Sequence, residues 1–169
     1  TFPTGVPYII GNEGCERFSF YGMRALLVLF MVESLEEGGL GYSDQTATAI
    51  YGLYTAAVYM LCLPGGWIAD RLIGAQRAVW FGGIIIMSGH FVLAIPSVGT
   101  FFLGLILVAI GTGLLKPNIS AIVGEFYPPG DPRRDGGFTT FYMGINIGAA
   151  LGPLVCGWLA QDNWHYGFG

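Results

Sequence analysis

The stretch "NEGCERFSFYG", residues 12–22, sets Glu13, Glu16 and Arg17 within five positions at the head of the apolar run "MRALLVLFMV". An ionised side chain at the centre of a bilayer costs about 2.5–3.5 kcal/mol on insertion scales, so charge in such a segment turns toward a wet cavity or a partner. At about 100° per residue, Glu13, Glu16, Arg17, Phe20, Tyr21 and Arg24 share one face of a helix. A local salt bridge at the membrane interface accounts for Glu13 and less well for Glu16. It fails for Arg24, which stands roughly 24 Å along the helix from Tyr8, although a long arginine can still snorkel outward.

Composition agrees with a membrane setting. Of 169 residues, 53% are hydrophobic and 11% charged, against roughly 25% charged in an average soluble domain. Abundant glycine and 15% aromatic residues suit closely packed membrane helices with aromatic ends. The net charge of −4 gives no reason to expect a nucleic-acid partner. Cys15, Cys62 and Cys156 lie in apolar stretches without metal-ligand spacing and read as small free hydrophobes. The chain starts at Thr1 with no initiator Met and no cleavable signal. We therefore expect it to begin inside a longer reading frame.

Polar, Gly-rich or Pro-rich stretches ("EEGGLGYSDQ", "DRLIGAQR", "PSVGT", "EFYPPGDPRRDGG") separate five apolar segments. They are expected at 8–32, 47–69, 78–95, 100–123 and 138–160, each long enough for a bilayer core that takes about 20 residues. Arg71 and Arg77 lie between spans two and three, Arg133 and Arg134 between four and five, and the other connections carry no Lys or Arg. By the positive-inside rule the N-terminus and both Arg-bearing loops are cytoplasmic. Gly144, Gly148 and Gly152 recur every fourth residue on one face of span five, where another helix can come close. Pro64, Pro117 and Pro153 fall inside spans and predict bent helices.

Depth gives a second test, because a site shared by several helices needs polar groups at similar height. Arg17, Tyr59, Lys116 and Asn146 each fall about 12–15 Å from the presumed cytoplasmic end of their span, near the middle of a core about 30 Å thick. Polar groups from four spans thus meet in one layer, as a solvated cavity between helices requires. Span three offers only His90, slightly deeper, read as a hydrogen-bonded packing residue.

With these residues in hand, the chain resembles the proton-coupled oligopeptide transporter family, a branch of the major facilitator superfamily. "EGCERFSFYGMR" is similar to its first-helix motif E-x-x-E-R-F-x-Y-Y-G at Glu13, Glu16, Arg17, Phe18, Tyr21 and Gly22. "GGWIADRLIGAQRAV" resembles the family signature after helix two and the superfamily loop motif G-x-x-x-D-R, and "GTGLLKPNIS" and "FTTFYMGINIGAALGP" resemble the helix-four and helix-five signatures. Two departures stand out. Phe20 replaces the first Tyr of the usual pair, and Gly52 stands where mammalian members carry a His thought to take part in proton coupling.

The resemblance implies an all-α membrane protein of two six-helix bundles, of which this chain supplies five transmembrane helices of an incomplete N-terminal bundle. The expected activity is proton-coupled symport of di- and tripeptides by alternating access in a cytoplasmic membrane. Its partners are short peptides, the lipid bilayer and the C-terminal half of the same transporter, with protons as coupling ion and no other cofactor or metal. A zwitterionic peptide needs cations at one end, and Arg17, Arg24 and Lys116 supply them. By resemblance, Arg24 and Lys116 face the peptide C-terminus, and Tyr21, Tyr59 and Asn146 hydrogen-bond its backbone. Glu13 and Glu16, beside Arg17 and Lys116, are the proton-coupling candidates, since such carboxylates respond when a cation moves. Asp70, Arg71 and Arg77 are expected either to make a gating contact or only to fix topology. Rival readings are a family member carrying nitrate or another small solute, and a channel or structural membrane subunit. An intramembrane enzyme has no HExxH, GxSxG or metal-spaced His pair to support it.

Overall fold

The structure, a computed structural model, describes residues 3–169. Regular structure among them is helical throughout: α1 Val6–Val32, α2 Asp44–Ile68 continued by a π-helical turn at Ala69–Ile73, α3 Ala75–Leu93, α4 Val98–Glu125, α5 Arg134–Ala160 and the short α6 Trp164–Phe168.

Local chemistry sets the helix ends. Pro7 sits in the first turn of α1, where its missing N–H has no helical acceptor to lose. Ser43 caps α2, its Oγ accepting from the Thr46 N–H at 3.2 Å, so α2 starts at Asp44 and not near residue 47. Gly74, at φ 83°, separates the π-helical turn from α3 in a single residue, a conformation that side chains rarely adopt. At the start of α5 the "DGG" read as a break is helical instead. Gly137 lies beneath the Tyr127 ring, where a Cβ would come within 2.6 Å of Cε2.

Glycines bring the helices together in pairs. On α5, Gly144, Gly148 and Gly152 lie along α1: a Cβ on Gly144 would approach Ile10 Cγ2 to 2.9 Å, one on Gly148 the Phe18 nitrogen to 3.0 Å and one on Gly152 the Gly22 nitrogen to 3.0 Å. Between α3 and α4, Gly82 and Gly111 face each other, a Cβ on Gly82 falling 2.8 Å from the Gly111 oxygen. Such seams bring backbones close and gain dispersion energy where water release offers little.

The prolines lie inside continuous helices: Pro64 in α2, Pro117 in α4 and Pro153 in α5. Pro117 cannot donate to the Gly113 carbonyl four residues back. Gly65 of α2 stands against that same oxygen, and only a residue without a side chain fits there.

Where α1 ends, Phe30 is enclosed by Phe101 and Phe168, with ring centroids 5.1 Å away in both cases. His90 Nδ1 donates to the Phe168 carbonyl at 2.8 Å, and His165 Nδ1 to the Leu93 carbonyl at 2.9 Å, tying α6 to α3. His90 is the hydrogen-bonded packing residue expected of it.

Three helical stretches are long and apolar enough to cross a membrane by length and composition alone: Asp44–Ile73, Val98–Glu125 and Arg134–Ala160, with mean hydropathies of 1.4, 2.3 and 1.5. Of the other long helices, α1 of 27 residues carries more charged side chains, and α3 of 19 residues is the shortest. In α1 these are Glu13, Glu16, Arg17 and Arg24, and the first three are buried. Leu63, Trp67, Leu154 and Trp158 are among many large apolar side chains exposed on the outside of the bundle, as lipid contact requires.

Candidate functional site

The decisive local fact is that α1 turns its charged face inward. Glu13, Glu16 and Arg17 are 4%, 6% and 4% exposed. Arg17 Nη2 donates to Glu16 Oε1 at 2.8 Å while its Nε donates to Glu16 Oε2, and the same Nε lies 3.3 Å from Glu13 Oε1. One guanidinium thus serves two carboxylates, one helical turn apart. Glu13 Oε2 is buried with no hydrogen-bond partner among the described residues. The Phe20 ring packs against this group, its centroid 5.0 Å from the Arg17 guanidinium carbon. Phe20 therefore sets an apolar ring against the guanidinium.

Lys116 of α4 acts electrostatically on both carboxylates, and its Nζ stands 4.2 Å from the centroid of the Tyr59 ring on α2. About two turns further along α1, Arg24 is flanked by aromatic rings, 5.8 Å from the Tyr21 centroid and 5.4 Å from that of Tyr51. Its Nε donates to the Tyr51 hydroxyl. The Lys116–Tyr59 contact joins α4 to α2, and the Arg24–Tyr51 contact joins α1 to α2.

Other expected residues stand apart. Asn146 is on the exposed side of α5, away from the glycine seam, and its Nδ2 donates to the Tyr142 carbonyl of its own helix at 2.8 Å. Asp70 and Arg71 in the π-helical turn and Arg77 in α3 are exposed, and no ion pair joins them among the described residues. A groove of about 650 Å³ between α1, α3 and α5 has Glu16, His90, Cys15 and Asn12 in its wall but none of Arg17, Arg24 and Lys116. Arg24 and Lys116 are half-buried. Among the described residues no group of three His, Cys, Asp or Glu side chains is placed to hold a metal ion.

Sequence reasoning passed over Tyr51, the partner of Arg24, and Tyr54, a 6% exposed phenol whose hydroxyl has no partner among the described residues. Thr112, 1% exposed and likewise unpartnered through Oγ1, lies one turn before Lys116. The available signal for Tyr51 was its position on α2 about two turns before Tyr59, which puts a second phenol beside the charged face of α1.

Long apolar helices around a buried carboxylate–guanidinium group define a multi-pass membrane protein. The family profile "PTR2: POT family" matches residues 76–169, more than half of the chain, which belongs to that family. The chain is 48% identical over 173 residues to the "Peptide transporter YePEPT" of Yersinia enterocolitica subsp. palearctica, with 98% of this chain and 34% of that protein covered. It is 46% identical to a "Di-/tripeptide transporter" of Lactococcus lactis subsp. lactis, covering 98% of this chain and 34% of that protein. Among solved structures, "peptide transporter POT in complex with sulfate" superposes with a TM-score of 0.96 at 53% identity, over 99% of this chain and 34% of that one. A "POT family transporter in complex with thioalcohol conjugated peptide" gives 0.95 at 42%, over 98% of this chain and 34% of that one. The chain thus spans about a third of the length of the relatives it matches, and those relatives are named as transporters.

Proposed function

We propose that this chain is the N-terminal part of a proton-coupled symporter of di- and tripeptides, working by alternating access in the cytoplasmic membrane. Its N-terminus and Arg-bearing loops face the cytoplasm, as the loop charge bias favours. The observation that carries the reading is the buried Glu13–Arg17–Glu16 group with Lys116 in its field. The names of the relatives support peptide as the cargo.

The chemistry follows from the donor count. Arg17 binds Glu16 through two nitrogens and Glu13 through one longer contact, so Glu13 is the carboxylate more easily released. Its free Oε2 accepts a proton without breaking any existing bond. Proton uptake there loosens the hold on Arg17 and Lys116 and makes a cation available to the peptide carboxylate. Loss of the proton toward the cytoplasm restores the internal pair and favours peptide release. Arg24 and Lys116 provide the cationic end of the site, and Tyr21, Tyr59 and Asn146 hydrogen-bond the peptide backbone. The C-terminal half supplies the opposite wall and the acidic partner for the peptide ammonium. Protons are the coupling ion, and the cycle needs no cofactor.

The test is uptake of a dipeptide by the complete transporter in proteoliposomes under an imposed pH gradient. Replacing both Glu13 and Glu16 with Gln abolishes driven uptake while peptide counterflow remains measurable. Driven uptake at the wild-type rate in that variant overturns the coupling assignment.

A further inference from the structure

Arg24 is the cation whose surroundings the reading above leaves unexplained. Of its five N–H donors, the Nε–H goes to the Tyr51 hydroxyl, and no carboxylate pairs with it among the described residues. The four N–H bonds on its terminal nitrogens keep their fork geometry for a planar anion. The rings of Tyr21 and Tyr51 lie 5.8 and 5.4 Å from the guanidinium carbon and limit its swing. Tyr51 accepts from Arg24 through its oxygen, so its own O–H is still free to donate. Arg24 and Tyr51 are both half-buried, so part of each side chain remains accessible. Gly52, the next residue, faces open space, with nothing beyond its own chain neighbours within 4 Å of where a Cβ would be.

We propose that Tyr51 is a carboxylate-site residue: its oxygen fixes the Arg24 guanidinium, and its O–H donates a hydrogen bond to the terminal carboxylate of the peptide that Arg24 binds. The inference rests on the peptide-transport reading and adds a residue with a separable role. Tyr51 positions Arg24 and touches substrate, whereas the Glu13–Arg17–Glu16 group handles the proton. Removing the hydroxyl deletes a charge-assisted hydrogen bond and frees the guanidinium to rotate, while the ring contact remains.

The experiment compares wild type, Tyr51→Phe, Arg24→Lys and the double variant of the complete transporter in proteoliposomes, with dialanine as substrate and a dialanine C-terminal amide as competitor. Tyr51→Phe is expected to raise KM for dialanine about tenfold, with kcat within about twofold and the dependence on the pH gradient unchanged. Inhibition by the amide, which lacks the carboxylate, stays at its wild-type value. The double variant loses little beyond Arg24→Lys alone, because the two side chains act as one unit. An unchanged KM, an equal loss for the amide, or additive losses overturn the inference. A fall in melting temperature with kcat and KM changing alike for both ligands assigns Tyr51 to packing and overturns it as well. Failure of the peptide reading looks different, since wild type itself then takes up no dialanine and the carboxylate assignment falls with it.

Discussion

Arg17 Nη2 donates to Glu16 Oε1 at 2.8 Å between two side chains that are each only about one-twentieth exposed. Neighbours in sequence seldom face each other on a helix, and here they do so because both are turned into the bundle and Arg17 curls back along α1. Truncating one partner of a buried pair leaves the other charge unpaired, at a cost of about 3–5 kcal/mol. Arg17→Ala is expected to lower stability by that amount, seen as a large fall in melting temperature in detergent. Arg17→Lys keeps the charge but loses the two-nitrogen grip on Glu16 and falls between.

Two glycines separate packing from propensity. A Cβ on Gly148 would come within 3.0 Å of the Phe18 nitrogen and 3.1 Å of the Gly14 carbonyl carbon, backbone atoms that cannot swing aside. Gly148→Val is expected to cost about 1–3 kcal/mol through overpacking of the α1–α5 seam, measured by thermal denaturation. Gly52 sits inside α2 with open space around it, so Gly52→Ala stabilises by about 0.5–1 kcal/mol through helix propensity.

The clasp between α3 and α6 yields another expectation. His165 donates to the Leu93 carbonyl at 2.9 Å and meets the Phe30 ring edge-on at 5.6 Å. His165→Ala removes both contacts and is expected to cost about 1–2 kcal/mol. Hydrogen exchange localises the effect, with faster exchange in Trp164–Phe168 and unchanged rates along the α1–α5 seam.

In the loop before α5, Arg133 holds the Asp131 carboxylate, with Nη2 at 2.7 Å from Oδ2. This pulls the Asp131 pKa down from 3.8 to about 2, first through the side-chain hydrogen bond. The folded value lies below the unfolded one, so the folded state binds fewer protons, and stability from this pair rises with pH between about 2 and 4. It is fully present above that window and lost as pH falls through about 2. An NMR titration of the Asp131 carboxyl should show the low midpoint, and Arg133→Gln should return it toward 3.8.

Much of the helical layout was legible because each apolar run is bounded by glycine, proline or charge. The starts were harder to read. Ser43 capping moves α2 forward to Asp44, and packing of Tyr127 over Gly137 keeps "DGG" helical where local propensity says break. The charged face of α1 was visible from spacing, as was the glycine face of α5, since both depend only on helical period. Tyr51 was not, because an aromatic residue in an apolar run carries no mark of polarity until a neighbouring helix brings Arg24 to it. Height along a span does not say which side of the bundle a residue faces, and the groove that Glu16 lines has none of Arg17, Arg24 and Lys116 in its wall.

The Glu13–Arg17–Glu16 group contains two acids and a single base, so ionised it is overall anionic, and Lys116 acts on it electrostatically from another helix. Electroneutrality in the hydrocarbon can therefore be reached in two ways, by drawing in the lysine as counterion or by taking up one hydrogen ion. A bundle with Lys116 replaced by glutamine loses the first way, and on the proposed cycle its driven dipeptide uptake is expected to fall while the fold is kept.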